Sequence, residues 1–281
     1  MRSLTPILAL VLALGLLARS AHAQVPACDG LKGPQREVAH QVLASAHPHD
    51  GCDGTLAECL RRSPVSPLVV RLAADVCRRA GAGQSRADIE RELARRAASA
   101  VSPRVDIDVS GAAVAGDKDA PVEVVVYLCA RCPYCARLLP QLYASVTHGP
   151  LQGKARLIVR PFPIRSHPHS TEGGLAMIAA ARLGKSWEFL LHLYAHFDQF
   201  DAARLPDCAA AVGLDPERFR REMADPAVKA RLVAAKREGI RNHVEATPTV
   251  FVARRKYHAE LSIAAIEDYV AEVAERSPRK P

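Results

Sequence analysis

Aromatic residues make up only 5% of the 281 residues, with a single Trp, and no long run of basic residues occurs. The basic clusters are short, Arg254-Arg255-Lys256 and Arg279-Lys280. Without basic stretches interleaved with aromatics, the chain offers no surface for nucleic acid. Long apolar runs are also missing, apart from Leu4 to Leu17, whose 14 residues fall short of the roughly 20 that span a bilayer as a helix. Stable membrane insertion is therefore not expected. A hydrophobic share of 49% with 24% charged residues excludes disorder, collagen and coiled coil, and suits one large or two small globular domains.

Residues 1–23 have a positive start at Arg2, the apolar stretch, and the small residues Ala21 and Ala23 at the −3 and −1 positions of a cleavage site before Gln24. That pattern reads as a secretory signal peptide. Two of the 38 basic residues, Arg2 and Arg19, lie inside it, so the formal excess of +8 falls to +6 on cleavage. A mildly basic solvated surface is the consequence. Cysteine is where the sequence is well supplied: Cys28, Cys52, Cys59, Cys77, Cys129, Cys132, Cys135 and Cys208. Export permits disulfides, and an even number permits complete pairing, but eight Cys allow on the order of a hundred connectivities and spacing assigns none of them.

Two regions differ in character. Residues 24–104 read as a small all-helical region and linker, with a helix start at Gly33-Pro34 and apolar residues at helical spacing from Ser66 to Cys77 before Gly81. Ser85 opens a capping pattern with Asp88, followed by the stripe Ile89, Leu93, Ala97. Such a small bundle needs internal bridges or docking on a larger domain. Residues 105–281 read as α/β: the β-branched run Val122–Leu128 is predicted as a strand buried on both faces, with further strands at Leu157–Val159 and Thr249–Val252. Thr171 to about His243 is predicted helical, broken at Gly184, Gly213 and Pro226, and Ser262 to Glu275 makes a last helix.

The strand runs directly into Cys132-Pro133-Tyr134-Cys135 and then a helix. This puts Cys132 at a helix N-terminus, where unpaired N–H groups and the helix dipole favour a thiolate. Cys135, one turn along, is positioned to resolve a mixed disulfide. Pro133 fits because its missing N–H falls in the first turn. Other chemistries fit parts of the pattern. The Cys129, Cys132, Cys135 triplet imitates an iron–sulfur run, but the fourth ligand position holds Leu139. A zinc site would have to recruit His167 or His169, and a purely structural bridge is the plain alternative.

Val122–Leu128 followed by Cys132-Pro-Tyr-Cys135, Pro140 five residues on, and Ala246-Thr247-Pro248-Thr249-Val250-Phe251-Val252 resemble the thioredoxin superfamily, and within it the DsbA-like periplasmic thiol–disulfide oxidoreductases. The resemblance covers about residues 105–278. It implies a thioredoxin-like fold carrying a DsbA-type helical insertion, here about 165–245, preceded by the small all-α region. It implies that Cys132 and Cys135 form the redox disulfide, that Pro248 is a cis proline facing them, and that Thr247, Pro248, Pro133 and Tyr134 bind substrate. It calls for no cofactor and no metal, and its partners would be exported protein substrates and a redox partner protein. A homodimer through the N-terminal region is a further implication, since isomerases of the family often dimerise that way. The alternative, from a different class, is a peptide-binding or chaperone-like module in which the Cys pair is a structural disulfide.

The sequence departs from the family at several points. Val126 occupies the position of thioredoxin's buried acid, Tyr134 stands where strongly oxidising DsbA has His, and Thr247 is more like isomerases and reductases. The direction of electron flow is left open. Cys129 is additional; pairing with Cys208, service as a third redox thiol, and burial as an unreactive thiol are all open to it. His167 and His169 read as loop residues, Trp187 and Phe189 as core of the insert, and 254–256 as a hairpin tip. Arg71 to Glu90 is similar to the helical domain of CcmH-type cytochrome c maturation proteins, without their Cys-x-x-Cys.

Overall fold

Every residue of Val122–Leu128 is buried, because each face of the strand packs into its own hydrophobic cluster. In the computed structural model, which describes residues 25–276, this strand is the centre of a five-stranded mixed sheet. The strands are β1 (Val114–Gly116), β2 (Val122–Leu128), β3 (Ala155–Pro161), β4 (Thr249–Val252) and β5 (Arg255–Lys256), in the order β1-β3-β2-β4-β5. β2 runs parallel to β3 and antiparallel to β4. Val122, Val124, Val126 and Leu128 face one core and Val125 and Tyr127 the other, the period of two that a pleated strand imposes.

Twelve α-helices surround the sheet among the described residues. The N-terminal five are α1 (Pro26–Asp29), α2 (Gly33–Ser45), α3 (Leu56–Cys59), α4 (Pro67–Gly81) and α5 (Arg86–Val101). They enclose their own core around Leu56, Leu72, Val76 and Ile89. Two disulfides staple it, Cys28–Cys77 and Cys52–Cys59, with Cα separations of 5.1 and 6.4 Å. Ser85 caps α5 by accepting from the Asp88 N–H, as the sequence pattern suggested. The short α3 has a full capping box between Thr55 and Glu58. The leader expected over residues 1–23 lies outside the described residues.

Next come α6 (Pro133–His148) after β2, and then, between β3 and β4, α7 (Ser170–Arg182), α8 (Ser186–Ala195), α9 (Leu205–Ala211), α10 (Pro216–Ala224) and α11 (Pro226–Arg241). The chain ends on α12 (Ile263–Arg276). The helical stretch has the three expected breaks and one more: Phe197–Gln199 and Ala202–Arg204 are short 3-10 turns. No Gly falls in this break, and Pro206, in the first turn of α9, closes it. Phe197 and Phe200 are drawn under the guanidinium of Arg131, with ring centroids 5.5 and 4.5 Å away, so a tertiary contact overrides local helix preference.

A cluster of ion pairs docks the helical region on α12. Arg96 donates to Glu272 at 2.7 Å and to Asp268 at 2.6 Å, His49 meets Glu272 at 3.0 Å, and Arg71 pairs with Asp268 and Glu275. Arg96 and Glu272 are 4% and 2% exposed, so this charge is held inside the protein.

Candidate functional site: a paired thiol at a helix start

The loop after β2 turns through Cys129-Ala130-Arg131-Cys132, closed by the Cys132 N–H donating to the Cys129 carbonyl at 3.0 Å. Cys132 is the N-cap of α6 and Pro133 its first residue. Four N–H groups at such an end have no intrahelical acceptor, and the dipole adds partial positive charge. Gly173 of α7 lets that helix press on the turn, since a Cβ built there would stand 2.5 Å from the Ala130 Cβ. Facing the turn, Thr247–Pro248 is a cis peptide, the geometry that the family resemblance implied. The Cys132 thiol donates to the Thr247 carbonyl at 3.1 Å.

Cys132 and Cys135 are each 1% exposed and both are free thiols. Their acidities are driven apart. The Cys132 thiol is pushed down to about 5 from an ordinary 9.0, chiefly by a hydrogen bond from the Cys135 thiol. Burial opposes this, and the N–H groups of Cys135 and Tyr134 and the Thr247 side chain assist. Burial, with the neighbouring Cys132 sulfur, pushes the Cys135 thiol far above its ordinary range. The two thiols therefore differ in acidity, Cys132 favouring the thiolate and Cys135 keeping its proton. Beside them, Tyr134 is 63% exposed and Pro133 is exposed, so the mouth of the site is apolar and open. Arg137 lies over the Tyr134 ring at 4.9 Å.

The structure brings all six residues expected from sequence, Cys132, Cys135, Pro133, Tyr134, Thr247 and Pro248, to one place. Val126 is buried between Val159 of β3 and Val250 of β4, so no carboxylate lies at that position. Cys129 and Cys208 are both unpaired, which removes the bridge considered between them. His167 approaches Cys129, Nδ1 to Sγ 3.4 Å, while His169 pairs loosely with Glu172 on the surface. Among the described residues no group of three or more His, Cys, Asp or Glu side chains is arranged to hold a metal ion.

Two neighbours were not foreseen from sequence. Tyr194 of α8 donates to the Cys129 carbonyl at 3.1 Å and is buried with its hydroxyl raised well above the usual range, first by burial and then by the three sulfurs of Cys135, Cys129 and Cys132. Its position in α8, inside an apolar helical pattern, gave no signal. Arg131, stacked on Phe197 and Phe200, ties the turn 129–132 to the insert.

The thioredoxin family model matches residues 109–272, more than half of the chain. Solved structures of similar fold include a thioredoxin-like oxidoreductase from Silicibacter pomeroyi, 24% identical with a TM-score of 0.52, covering 59% of this chain and 94% of that one. Another is the catalytic domain of ScsC from Proteus mirabilis, 16% identical with a TM-score of 0.51, covering 66% and 98%. Among curated proteins, a Na(+)/H(+) antiporter NhaA 3 from Salinispora tropica is 32% identical over 220 residues, 76% of this chain and 31% of the antiporter. The chain spans less than a third of the length of the curated relatives it matches. No described helix is long and apolar enough to cross a membrane. Strand order, helical insert, cis proline loop and family match agree: this chain belongs to the thioredoxin family.

Proposed function

We propose that the protein is a thiol–disulfide oxidoreductase that exchanges disulfides with exported proteins in the periplasm, through Cys132 and Cys135. The observation that carries this reading is geometric: Cys132 caps the start of α6 against the cis Thr247–Pro248 peptide, with Cys135 one turn along the same helix, and the lowering of the Cys132 thiol to about 5 beside a raised Cys135 supports it. Cys132 as thiolate attacks a substrate disulfide sulfur, the substrate's other sulfur leaves, and Cys135 then attacks Cys132, releasing the second substrate thiol and closing the intramolecular disulfide. Run backwards, the same steps oxidise a substrate dithiol. Pro133, Tyr134, Thr247 and Pro248 form the wall against which an extended peptide lies. Residues 1–23 supply export, 24–104 the helical region, which is also the candidate dimerisation surface, and 105–281 the catalytic unit, which exchanges electrons with a redox partner protein.

The acidity of Cys132 bears on direction. A stabilised thiolate favours the dithiol form and makes the disulfide a stronger oxidant, the logic by which reduction potentials rise from about −270 mV toward about −120 mV. That weighs for the oxidising direction, against the leaning of Tyr134 and Thr247. The test is exchange with a disulfide-linked reporter peptide. Wild type reacts, and Cys132→Ser loses all exchange while retaining its fold. Undiminished exchange by Cys132→Ser would remove Cys132 from the reading, and no exchange by wild type would leave a peptide-binding module whose Cys pair is a staple. Equilibration with glutathione then fixes the direction.

A further inference from the structure

Cys129 is the one buried nucleophile beside the site that the two-cysteine cycle leaves unused. It is 1% exposed, and its sulfur accepts the Arg131 N–H at 3.4 Å and lies 3.4 Å from His167 Nδ1. It is joined to Cys132 by the closed turn 129–132. A turn of this kind holds its end Cα atoms within about 7 Å, and disulfides span roughly 4.4–6.8 Å. In this same chain the Cys52–Cys59 bridge spans 6.4 Å.

From this geometry, and resting on the exchange reading above, we infer that Cys129 is a second resolving thiol, able to displace a substrate from Cys132 by forming a Cys129–Cys132 disulfide. In this step the Cys129 proton passes to His167 Nδ1, and the Cys129 sulfur attacks the Cys132 sulfur of the mixed disulfide. The Cys129–Cys132 bond forms, the bond from Cys132 to the substrate breaks, and the substrate sulfur leaves with the electron pair and is protonated. Over both steps the substrate disulfide gains two electrons and the two protein thiols supply them, so no further oxidant is needed. Burial raises the thiols of both resolving candidates, Cys135 the more strongly, and of the two only Cys129 has an imidazole within reach. Cys129 thus gives a substrate bound at Cys132 a second route of release.

The test uses the reduced full chain and oxidised glutathione as the probe disulfide, read by intact mass and by peptide mapping without reductant. In Cys135→Ser the glutathione adduct on Cys132 is expected to be lost, with a Cys129–Cys132 linkage in its place. In Cys129→Ser/Cys135→Ser, and equally in Cys129→Ala/Cys135→Ser, the adduct is expected to persist. An adduct equally persistent in Cys135→Ser and the double variants would overturn the inference and leave the exchange reading standing. No adduct in any variant, with circular dichroism unchanged from wild type, would overturn both.

Discussion

At the scale of single residues the chemistry rests on Cys132, and its acidity is also a statement about stability. Its folded value of about 5 lies below the ordinary 9.0, so ionisation stabilises the reduced fold fully above about pH 9, and this contribution declines below that and is lost as pH falls through about 5. Cys135 and Cys129 are shifted upward, so their cost is felt only as pH rises past the ordinary thiol value. Between pH 5 and 9 the Cys132 contribution is therefore the one that varies among the three. Reduced wild type should lose its stability advantage over Cys132→Ser as pH is lowered from 7 to 5, in denaturant unfolding curves; a difference independent of pH would contradict the assignment. The identity of this residue was legible in the sequence because strand, Cys-x-x-Cys and helix start are neighbours along the chain. Its surroundings were not. Tyr194 reaches Cys129 across 65 residues and His167 across 38, and both sit in stretches whose local pattern is that of an ordinary helix and an ordinary loop.

Among elements, α7 decides how the turn 129–132 sits. Gly173 is the point of closest approach, and Gly173→Ala would drive a methyl group into Ala130. The expected cost is about 1–3 kcal/mol of overpacking. Thermal unfolding measures it, and the Cys132 titration should move upward as the turn is displaced from the start of α6. Full stability in Gly173→Ala would show that the contact relaxes without consequence. The strands β2 and β4 were readable from β-branched apolar runs, a local property, whereas of the expected hairpin tip 254–256 only Arg254 lies in the turn, with Ala253, and Arg255–Lys256 form β5. The break at 197–204 was missed: Pro206 marks only its far end, and its start depends on Arg131 stacking on Phe197 and Phe200.

For the whole molecule, the helical region and the thioredoxin-like unit are held together by buried charge rather than by a continuous apolar seam. Arg71, Arg96, Asp268 and Glu272 look like solvated helix faces in sequence, and only the docking of α4 and α5 on α12 reveals them as partners. Removing one member of a buried network leaves the others uncompensated, at about 3–5 kcal/mol. Arg96→Ala should therefore lower the stability of the docked assembly and expose the segment between α5 and β1 to protease, while the Cys132 titration is unchanged; wild-type protease resistance would contradict this. The helical region is then an appended unit, and the proposed exchange depends on the ionisation of Cys132 at the start of α6. The most direct test of that dependence is a titration of the reduced protein, following ultraviolet thiolate absorbance against Cys132→Ser. A midpoint near about 5, absent in the variant, is the expected result. A Cys132 sulfur that ionises near about 8.5, as a free cysteine does, would contradict the account.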